Sequence, residues 1–250
     1  MMKRIVTGFA LGLALAGSAV AAREDSGKAI AAALADPGRP TEDSSRDAAR
    51  HPAELIGFAG VKPGGRVLDF IIGGGYFTRI LAKTVGPKGH VWAYTPAEFI
   101  KFRAQYGVDL KKVADAYSNV TPLSESIGAL KLPGALDAII TVQNYHDMHI
   151  SQFPADTAAK TNAALFKALK HGGTLLIVDH VAAAGSGVEA PDKLHRIDPQ
   201  MLKDEVLAAG FRFDGELNIL RNPTDPHTAL VFAPAIRGKT DQVVYRFRKP

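Results

Sequence analysis

The sequence predicts an α/β protein whose parallel sheet is covered by helices on both faces. Three observations predict this class. Apolar segments of strand length alternate with segments of helical periodicity from about residue 66 to residue 179. The apolar segments run almost without interruption, which is typical of strands buried on both faces and therefore of a parallel sheet. Turn sequences rich in glycine and proline separate the segments, at 63–65, 86–89 and 172–173.

The first three strands are predicted from short apolar runs, each of which follows a turn or a helix end. The helix after the first strand is predicted because Phe77, Ile80, Leu81 and Val85 recur at helical spacing and so share one face. The elements of this half are, in order, a strand at 66–72, a helix at 76–85, a strand at 90–94, helices at 97–104 and 110–117, and a strand at 119–123.

The second half of the chain continues the alternation and then changes character. The strand at 135–142 is apolar except for Asp137 and Thr141, and the strand at 174–179 is apolar almost throughout. At 242–248 the pattern alternates instead, which indicates a strand with unlike faces. The elements of this half are, in order, a strand at 135–142, a helix at 155–170, a strand at 174–179, a helix at 200–209, a strand at 211–216, a segment at 218–241 that packs over one end of the sheet, and a strand at 242–248.

The N-terminus carries a pattern typical of secretory signal sequences. Lys3 and Arg4 precede an uncharged run that ends in the small residues Ala19-Val20-Ala21. We therefore predict cleavage after Ala21 and an exported, periplasmic protein with no stable membrane insertion. An uncleaved membrane anchor is the alternative, although the run is barely long enough to span a bilayer. The predicted organisation is a signal peptide at 1–21, a helical appendage at 22–50 and a main domain at 51–250.

Composition excludes several classes of function. Removing Lys3 and Arg4 with the signal lowers the net charge from +5 to +3, so the mature chain is only mildly basic. No dense stripe of lysine and arginine occurs away from the C-terminus, and nucleic-acid binding is therefore not predicted. The chain has no cysteine, which excludes disulfides and thiolate catalysis. The sequence predicts a small-molecule partner and leaves the oligomeric state open.

Three consecutive glycines, Gly73, Gly74 and Gly75, lie between the first strand and the helix after it. Glycine lets backbone N–H groups approach a ligand closely, and the helix directs its positive N-terminal end at the same place. A strand, a glycine turn and a helix in this order predict a cofactor-binding loop. The alternative is a tight turn that holds no ligand.

The ordered motifs from about residue 51 to residue 250 resemble the class I S-adenosylmethionine-dependent methyltransferases, and within them a group of exported predicted methyltransferases. No single motif is decisive, but the ordered set is fairly specific. The matching pieces are Val67-Leu68-Asp69 with Gly73-x-Gly75, Gly86-Pro87-x-Gly89 before the second strand, Asn144-Tyr145-His146-Asp147 after the fourth, Gly172-Gly173 before the fifth, His195-Arg196-Ile197-Asp198, and Ala209-Gly210-Phe211.

The resemblance implies a Rossmann-like, doubly wound sheet of seven strands with the last strand antiparallel. It implies S-adenosylmethionine at the carboxyl ends of the first two strands and methyl transfer to an unidentified small-molecule acceptor. The alternative is a non-catalytic exported protein that uses the fold to bind another small ligand. A nicotinamide-dependent oxidoreductase is a weaker alternative, because Phe77 and Thr78 stand where its glycine motif needs a later glycine.

The resemblance also assigns residues to the cofactor. It implies that Asp69 lies near the amino-acid end of the cofactor and that Gly73, Gly74 and Gly75 hold it, with Asn144 close by. A carboxylate is expected to accept from the ribose hydroxyls, and Glu98 is the candidate because it is the only carboxylate between residues 70 and 108. A solvated acid in the first turn of a helix is the alternative for Glu98.

The polar cluster after the fourth strand is predicted to face the acceptor. Tyr145 is assigned to the substrate, and His146 or Asp147 is the candidate base, because an imidazole titrates near neutral pH. The alternative is a loop that caps the next helix. His180 and His195 are further substrate candidates.

Two further points concern metal binding and the residue at position 71. His146 and His149 with Asp179 and His180 could form a metal site, but we expect that no metal is bound. The resembling family places a glycine where Ile71 stands, and a β-branched residue does not easily adopt a positive φ. We therefore expect the first strand to extend to residue 72 and the turn to use only the glycines.

Overall fold

The computed structural model describes the backbone of residues 9–250 and the side chains of residue 21 and residues 23–250. Apart from Ala21, the predicted signal at residues 1–21 lies outside the described side chains. Within the described part, no helix combines the length and the apolar character needed to cross a bilayer. The helices are α1 (Phe9–Leu34), α2 (Thr41–Ser44), α3 (Asp47–Arg50), α4 (Pro52–Phe58), α5 (Tyr76–Val85), α6 (Ala97–Phe102), α7 (Gln105–Ala116), α8 (Thr157–Ala168), α9 (Glu189–Leu194) and α10 (Pro199–Ala208).

A seven-stranded sheet forms the centre of the fold. Its strands are β1 (Arg66–Phe70), β2 (His90–Tyr94), β3 (Val120–Leu123), β4 (Leu136–Val142), β5 (Leu169–His180), β6 (Arg212–Glu216) and β7 (Gln242–Arg248). They lie in the order β3-β2-β1-β4-β5-β7-β6. Only β7 is antiparallel, and it pairs with β5 and β6. This confirms the predicted Rossmann-like sheet with an antiparallel last strand.

The strands are buried on both faces because alternate side chains enter two separate cores. Val67 and Ile140 pack with helices α1, α4 and α5 on one face, whereas Leu68 and Ile139 pack with α8 and α10 on the other. All four side chains are fully buried. This explains the nearly uninterrupted apolar runs of β1 and β4.

The order of the strands determines where a ligand can bind. From β1 the chain builds outwards through β2 and β3, and it then returns to the other side of β1 as β4. The carboxyl ends of β1 and β4 therefore flank the point at which the winding direction reverses. In open α/β sheets, ligands bind in the crevice at this point.

Several element boundaries differ from the predicted ones. α7 begins at Gln105 and not at residue 110. β1 ends at Phe70 and not at residue 72. β5 begins at Leu169, because Leu169 pairs with Leu136 before a bulge at the glycine pair. The short helix α9 was not predicted. The segment 218–241 packs over the carboxyl end of the sheet as predicted, where Thr240 bonds to His180.

Candidate functional site

Two cavities open at the carboxyl edge of the sheet. The first, the glycine-loop cavity, has a volume of about 380 Å³ and lies against the loop 71–75 and the N-terminal appendage. The second, the aromatic cavity, has a volume of about 420 Å³ and is lined by rings of Phe99, Phe102, Tyr106 and Phe232. Gln143 and Asn144, directly after β4, line both cavities. The two spaces therefore meet at the switch point of the sheet.

Ile71 adopts a left-handed backbone conformation at the position where the resembling family has a glycine. Its φ is 65°, so the expectation that β1 would continue to residue 72 and spare Ile71 a positive φ is wrong. The side chain is 4% exposed and packs in the core on the α8 face. Its carbonyl accepts a bond of 2.8 Å from Asn144 Nδ2, which also donates to the Val142 carbonyl. Burial and these bonds offset a strain of about 1–3 kcal/mol.

The three glycines have different local roles. Gly73 and Gly74 line the glycine-loop cavity, and a Cβ built on either would meet no atom within 4 Å. Gly75 does not line it; it caps α5 with a φ of 80°, and a Cβ there would approach Val113 to 3.3 Å. Gly73 and Gly74 thus leave open space for a ligand, whereas Gly75 is required by the turn.

Asp69 lies at the base of the glycine-loop cavity and is 3% exposed. Its Oδ2 accepts from the Thr78 hydroxyl at 2.6 Å. Burial raises the pKa of Asp69 to about 6, although the Thr78 bond and the charges of Arg50 and Arg79 act in the opposite direction. The predicted position beside the glycine loop is therefore correct.

Arg50, from the appendage, is a functional candidate that the sequence did not reveal. Its guanidinium lies 4.6 Å from the ring centre of Tyr76 and 5.2 Å from that of Phe77, and its Nε has no hydrogen-bond partner. Among the described residues it forms no ion pair, and it lines the glycine-loop cavity. Partial burial lowers the pKa of Arg50. A partly buried cation with no ion-pair partner is a ready site for an anionic group.

The appendage is held over the cavity by charged contacts. Arg39 pairs with Asp47 through two bonds of 2.7 Å, and Tyr76 donates to the same carboxylate. Arg79 Nε donates to Asp43 at 2.7 Å, and Arg79 Nη2 donates to the Gly74 carbonyl. The appendage is therefore tied both to α5 and to the glycine loop.

Glu98 does not reach the glycine-loop cavity. Its carboxylate accepts from Ser126 Oγ and from the Ile127 backbone N–H, and it lines a separate depression on the surface. The structure therefore does not bring Glu98 together with Gly73. Asp109 of α7 does line the cavity, and it directly follows the stretch 70–108 in which Glu98 is the only carboxylate.

His146 lies at the wall of the aromatic cavity, held by Asp179 from β5. Nδ1 of His146 lies 2.8 Å from Asp179 Oδ1, and its backbone N–H donates to Asp179 Oδ2 at 2.7 Å. Burial alone would lower the pKa of His146, but the charge and hydrogen bond of Asp179 and the charge of Asp147 raise it above its usual value. Because an ionised carboxylate only accepts, Nδ1 carries a proton and Nε2 faces Asp147 and His195.

The remaining predicted residues divide between the cavity and the core. His180 and His195, the two substrate candidates, line the aromatic cavity with Asp147. Burial lowers the pKa of His180 to about 4. Tyr145 does not line the cavity: its hydroxyl is buried, donating to Glu205 and accepting from Asn162.

The suggested metal set of His146, His149, Asp179 and His180 does not assemble. His149 Nε2 bonds to Glu205 at 3.0 Å, and His180 Nδ1 bonds to Thr240. Asp179 uses its oxygens on His146 and on backbone N–H groups.

No known protein-family model matches the sequence, and no curated protein matches it. Solved structures are similar to it at low identity. A SAM-dependent methyltransferase from Aquifex aeolicus is 21% identical, with a TM-score of 0.59 over 89% of this chain and 98% of the other. A TehB-like SAM-dependent methyltransferase from Corynebacterium glutamicum is 13% identical, with a TM-score of 0.55 over 84% and 95%.

A third similar structure is named for a different reaction. The [4+2]-cyclase SpnF is 17% identical, with a TM-score of 0.59 over 86% of this chain and 85% of the other. At these identities the comparisons establish the fold, which is the Rossmann-like methyltransferase fold. A shared fold does not fix the reaction, so function has to be argued from the two cavities.

Proposed function

We propose that this protein binds S-adenosylmethionine in the glycine-loop cavity and transfers its methyl group to a small acceptor in the aromatic cavity. The single observation that carries the proposal is the wall that the two cavities share at Gln143 and Asn144. A donor and an acceptor held on either side of these residues would meet at the switch point of the sheet. Positioning of this kind accounts for a large part of catalysis in bimolecular transfers.

The residues of the glycine-loop cavity fit this cofactor. Arg50, which has no ion-pair partner among the described residues, would hold its carboxylate, and Asp69 would face its ammonium group. Open backbone at Gly73 and Gly74 leaves room for the ligand. In place of Glu98, Asp109 is the carboxylate available to the ribose hydroxyls. When bound, S-adenosylmethionine supplies an electrophilic methyl group.

The aromatic cavity fits a small, partly apolar acceptor. Phe102 and Phe232 at its mouth are 80% and 54% exposed, which is unusual for phenylalanine and favours contact with a ligand. His146 and Asp147 converge on the same space and would take a proton from an acceptor that must lose one. Asp179 orients the His146 ring and keeps Nε2 towards the cavity.

Cofactor binding can be tested with S-adenosylhomocysteine and a matched pair of variants. Gly74→Val places a side chain into the glycine-loop cavity at a position without positive φ. Gly134→Val is the control: it adds the same side chain at an exposed site outside the cavity, where the surroundings are equally open and φ is not positive. We expect calorimetry to show at least a tenfold loss of S-adenosylhomocysteine affinity for Gly74→Val and none for Gly134→Val.

The same titration discriminates the alternatives. Binding of NAD in place of S-adenosylhomocysteine would favour an oxidoreductase, and binding of neither would favour a non-catalytic protein for another ligand. Unchanged affinity in Gly74→Val would refute the proposed binding site.

We also propose that the protein is exported, on the strength of the signal-like pattern at residues 1–21. Mass spectrometry of the protein recovered from its native host is expected to find a mature N-terminus at residue 22. An intact residue 1 or 2 would contradict cleavage.

A further inference from the structure

Three potential metal ligands converge in the aromatic cavity, and they are not the set that the sequence suggested. His146 Nε2 lies 3.3 Å from His195 Nδ1 and 3.4 Å from Asp147 Oδ1, and His195 Nδ1 lies 3.8 Å from the same Asp147 oxygen. Among the described residues, these three form the one group of histidine and carboxylate side chains close enough to share an ion.

We propose that His146, Asp147 and His195 bind a divalent transition-metal ion, with Zn²⁺ as the first candidate. Zinc bonds to histidine nitrogen and carboxylate oxygen at about 2.0–2.1 Å, and a tetrahedral ion with such bonds holds its ligand atoms about 3.3 Å apart. The three distances in the cluster match this spacing or exceed it by a few tenths of an ångström. Two nitrogens and one oxygen are ligands that zinc and related ions prefer.

The hydrogen bonds behind the cluster favour a cation at its centre. Nδ1 of His146 donates to Asp179, so Nε2 is the ring nitrogen free to ligate an ion, and it faces the Asp147 carboxylate at 3.4 Å. Either a proton on Nε2 or a metal ion can join these two atoms, and metal binding would displace that proton. A carboxylate behind a ligating histidine is also the usual arrangement in metal sites, where it fixes the ring orientation.

The backbone at His195 provides an independent indication. His195 caps α9 with a φ of 52°, a left-handed conformation that is uncommon for non-glycine residues, although histidine adopts it more often than most. This conformation directs a histidine from the α9 turn to the His146 ring, and Phe232 packs 5.1 Å from the His195 ring centre. Strained residues of this kind occur preferentially at ligand sites.

The surroundings suit a cation with an open coordination position. In the part of the chain that the structure describes, no lysine or arginine lines the aromatic cavity, whereas the carboxylates of Asp147 and Asp192 do. Three protein ligands leave a fourth position towards the cavity, as in catalytic zinc sites. A water molecule or an oxygen of a bound ligand would complete the coordination.

The metal site does not depend on the proposed methyl transfer, but it would refine it. With the ion bound, His146 Nε2 is a ligand and cannot also act as a base. Insofar as the proposed function holds, a hydroxyl acceptor bound to the ion would then lose its proton to solvent, because the ion lowers the pKa of a bound hydroxyl group.

The test uses tag-free protein without any cofactor, so that failure of S-adenosylmethionine binding cannot affect it. Metal-depleted protein is titrated with Co²⁺ and Zn²⁺ by absorption spectroscopy and calorimetry. We expect one ion per chain and Co²⁺ visible bands typical of four-coordinate sites. Asp147→Asn and His195→Asn should each weaken binding by about 10–100-fold or more.

A matched control separates ligation from backbone effects. His195→Asn keeps a residue that tolerates positive φ, and His51→Asn makes the same change at a φ of 47° in a residue that does not line the aromatic cavity. His51→Asn should bind metal as the unmodified protein does. Wild-type affinity in His195→Asn and Asp147→Asn, or no uptake of Co²⁺ by the unmodified protein at millimolar ion, would overturn the proposal.

Discussion

At the scale of single residues, the glycine-loop cavity is defined by groups that are costly to keep without a ligand. Arg50 is a partly buried cation with no ion-pair partner among the described residues, and Asp69 is a buried carboxylate with one side-chain partner. Ile71 holds a positive φ against the preference of a β-branched side chain. Such costs concentrated around one cavity are typical of binding sites.

The first prediction concerns the anion site at Arg50. Arg50→Gln removes the unpaired cation, so we expect affinity for S-adenosylhomocysteine to fall about 10–100-fold, the value of a charged hydrogen bond. Affinity for methylthioadenosine, which lacks the amino-acid carboxylate, should change little. Calorimetry with both ligands measures the difference, and an equal loss for both would argue against a carboxylate at Arg50.

The second prediction concerns Asp69 and pH. Burial raises the pKa of Asp69 from 3.8 to about 6. Between pH 3.8 and about pH 6 the Asp69 carboxyl group is therefore protonated in the folded state and ionised in the unfolded state. The contribution of Asp69 to the free energy of unfolding is therefore greatest at low pH and falls as pH rises through about 6. Measured relative to that of Asp69→Asn, the free energy of unfolding of the unmodified protein should fall by up to about 3 kcal/mol between pH 4 and pH 7.

Chemical denaturation of both proteins across this range provides the measurement. A stability difference that does not vary with pH would show that the carboxylate at position 69 titrates normally.

Much of the site could be predicted at the residue scale, and the exceptions have a common cause. Asp69 lies near the end of β1, and Gly73, His146 and Asp147 lie within five residues after β1 or β4, so strand order alone placed them at one edge. Tyr145 follows the same strand, but its hydroxyl turns to Glu205 in the core. The direction of such a side chain depends on tertiary packing and cannot be predicted from the local sequence.

At the scale of elements, the appendage is part of the site and not a separate addition. Residues of α2 and α3 line the glycine-loop cavity, and the Arg39–Asp47 pair and the Asp43–Arg79 pair fix them to the chain around it. The sequence predicted helices here but not this placement, since contacts such as Arg39–Asp47–Tyr76 link segments far apart in the chain.

The third prediction tests this anchoring. Asp47→Asn leaves the Arg39 side chain, which is 1% exposed, without its anion, so stability should fall by about 2–4 kcal/mol. Asp115→Asn breaks the exposed Lys111–Asp115 pair and should change stability by less than about 1 kcal/mol. Denaturant unfolding compares the two, and equal effects would contradict an anchoring role for Asp47.

Element boundaries were predicted best where the sequence marks both ends of the element. The limits of β2, α5 and β7 match the predicted ranges because turns and periodicity mark both ends. The end of β1 was placed two residues too far on the steric argument at Ile71. There, tertiary packing and the bonds from Asn144 outweighed the local preference.

At the scale of the whole molecule, one sheet edge holds two cavities with different chemistry. The glycine-loop cavity combines cations, carboxylates and open backbone, and the aromatic cavity combines rings with a histidine–aspartate cluster. Gln143, whose φ is 64°, stands between them directly after β4. A parallel sheet brings these groups together because the carboxyl ends of its strands share one edge.

The central claim is that the cavity at the glycine loop is the cofactor site. A crystal structure of the protein with S-adenosylhomocysteine tests it most directly. We expect the ligand to lie against Gly73 and Gly74, with its carboxylate bound to Arg50 and its sulfur directed towards Gln143 and Asn144. A ligand bound at the depression beside Glu98, or a glycine-loop cavity left empty at saturating ligand, would contradict it.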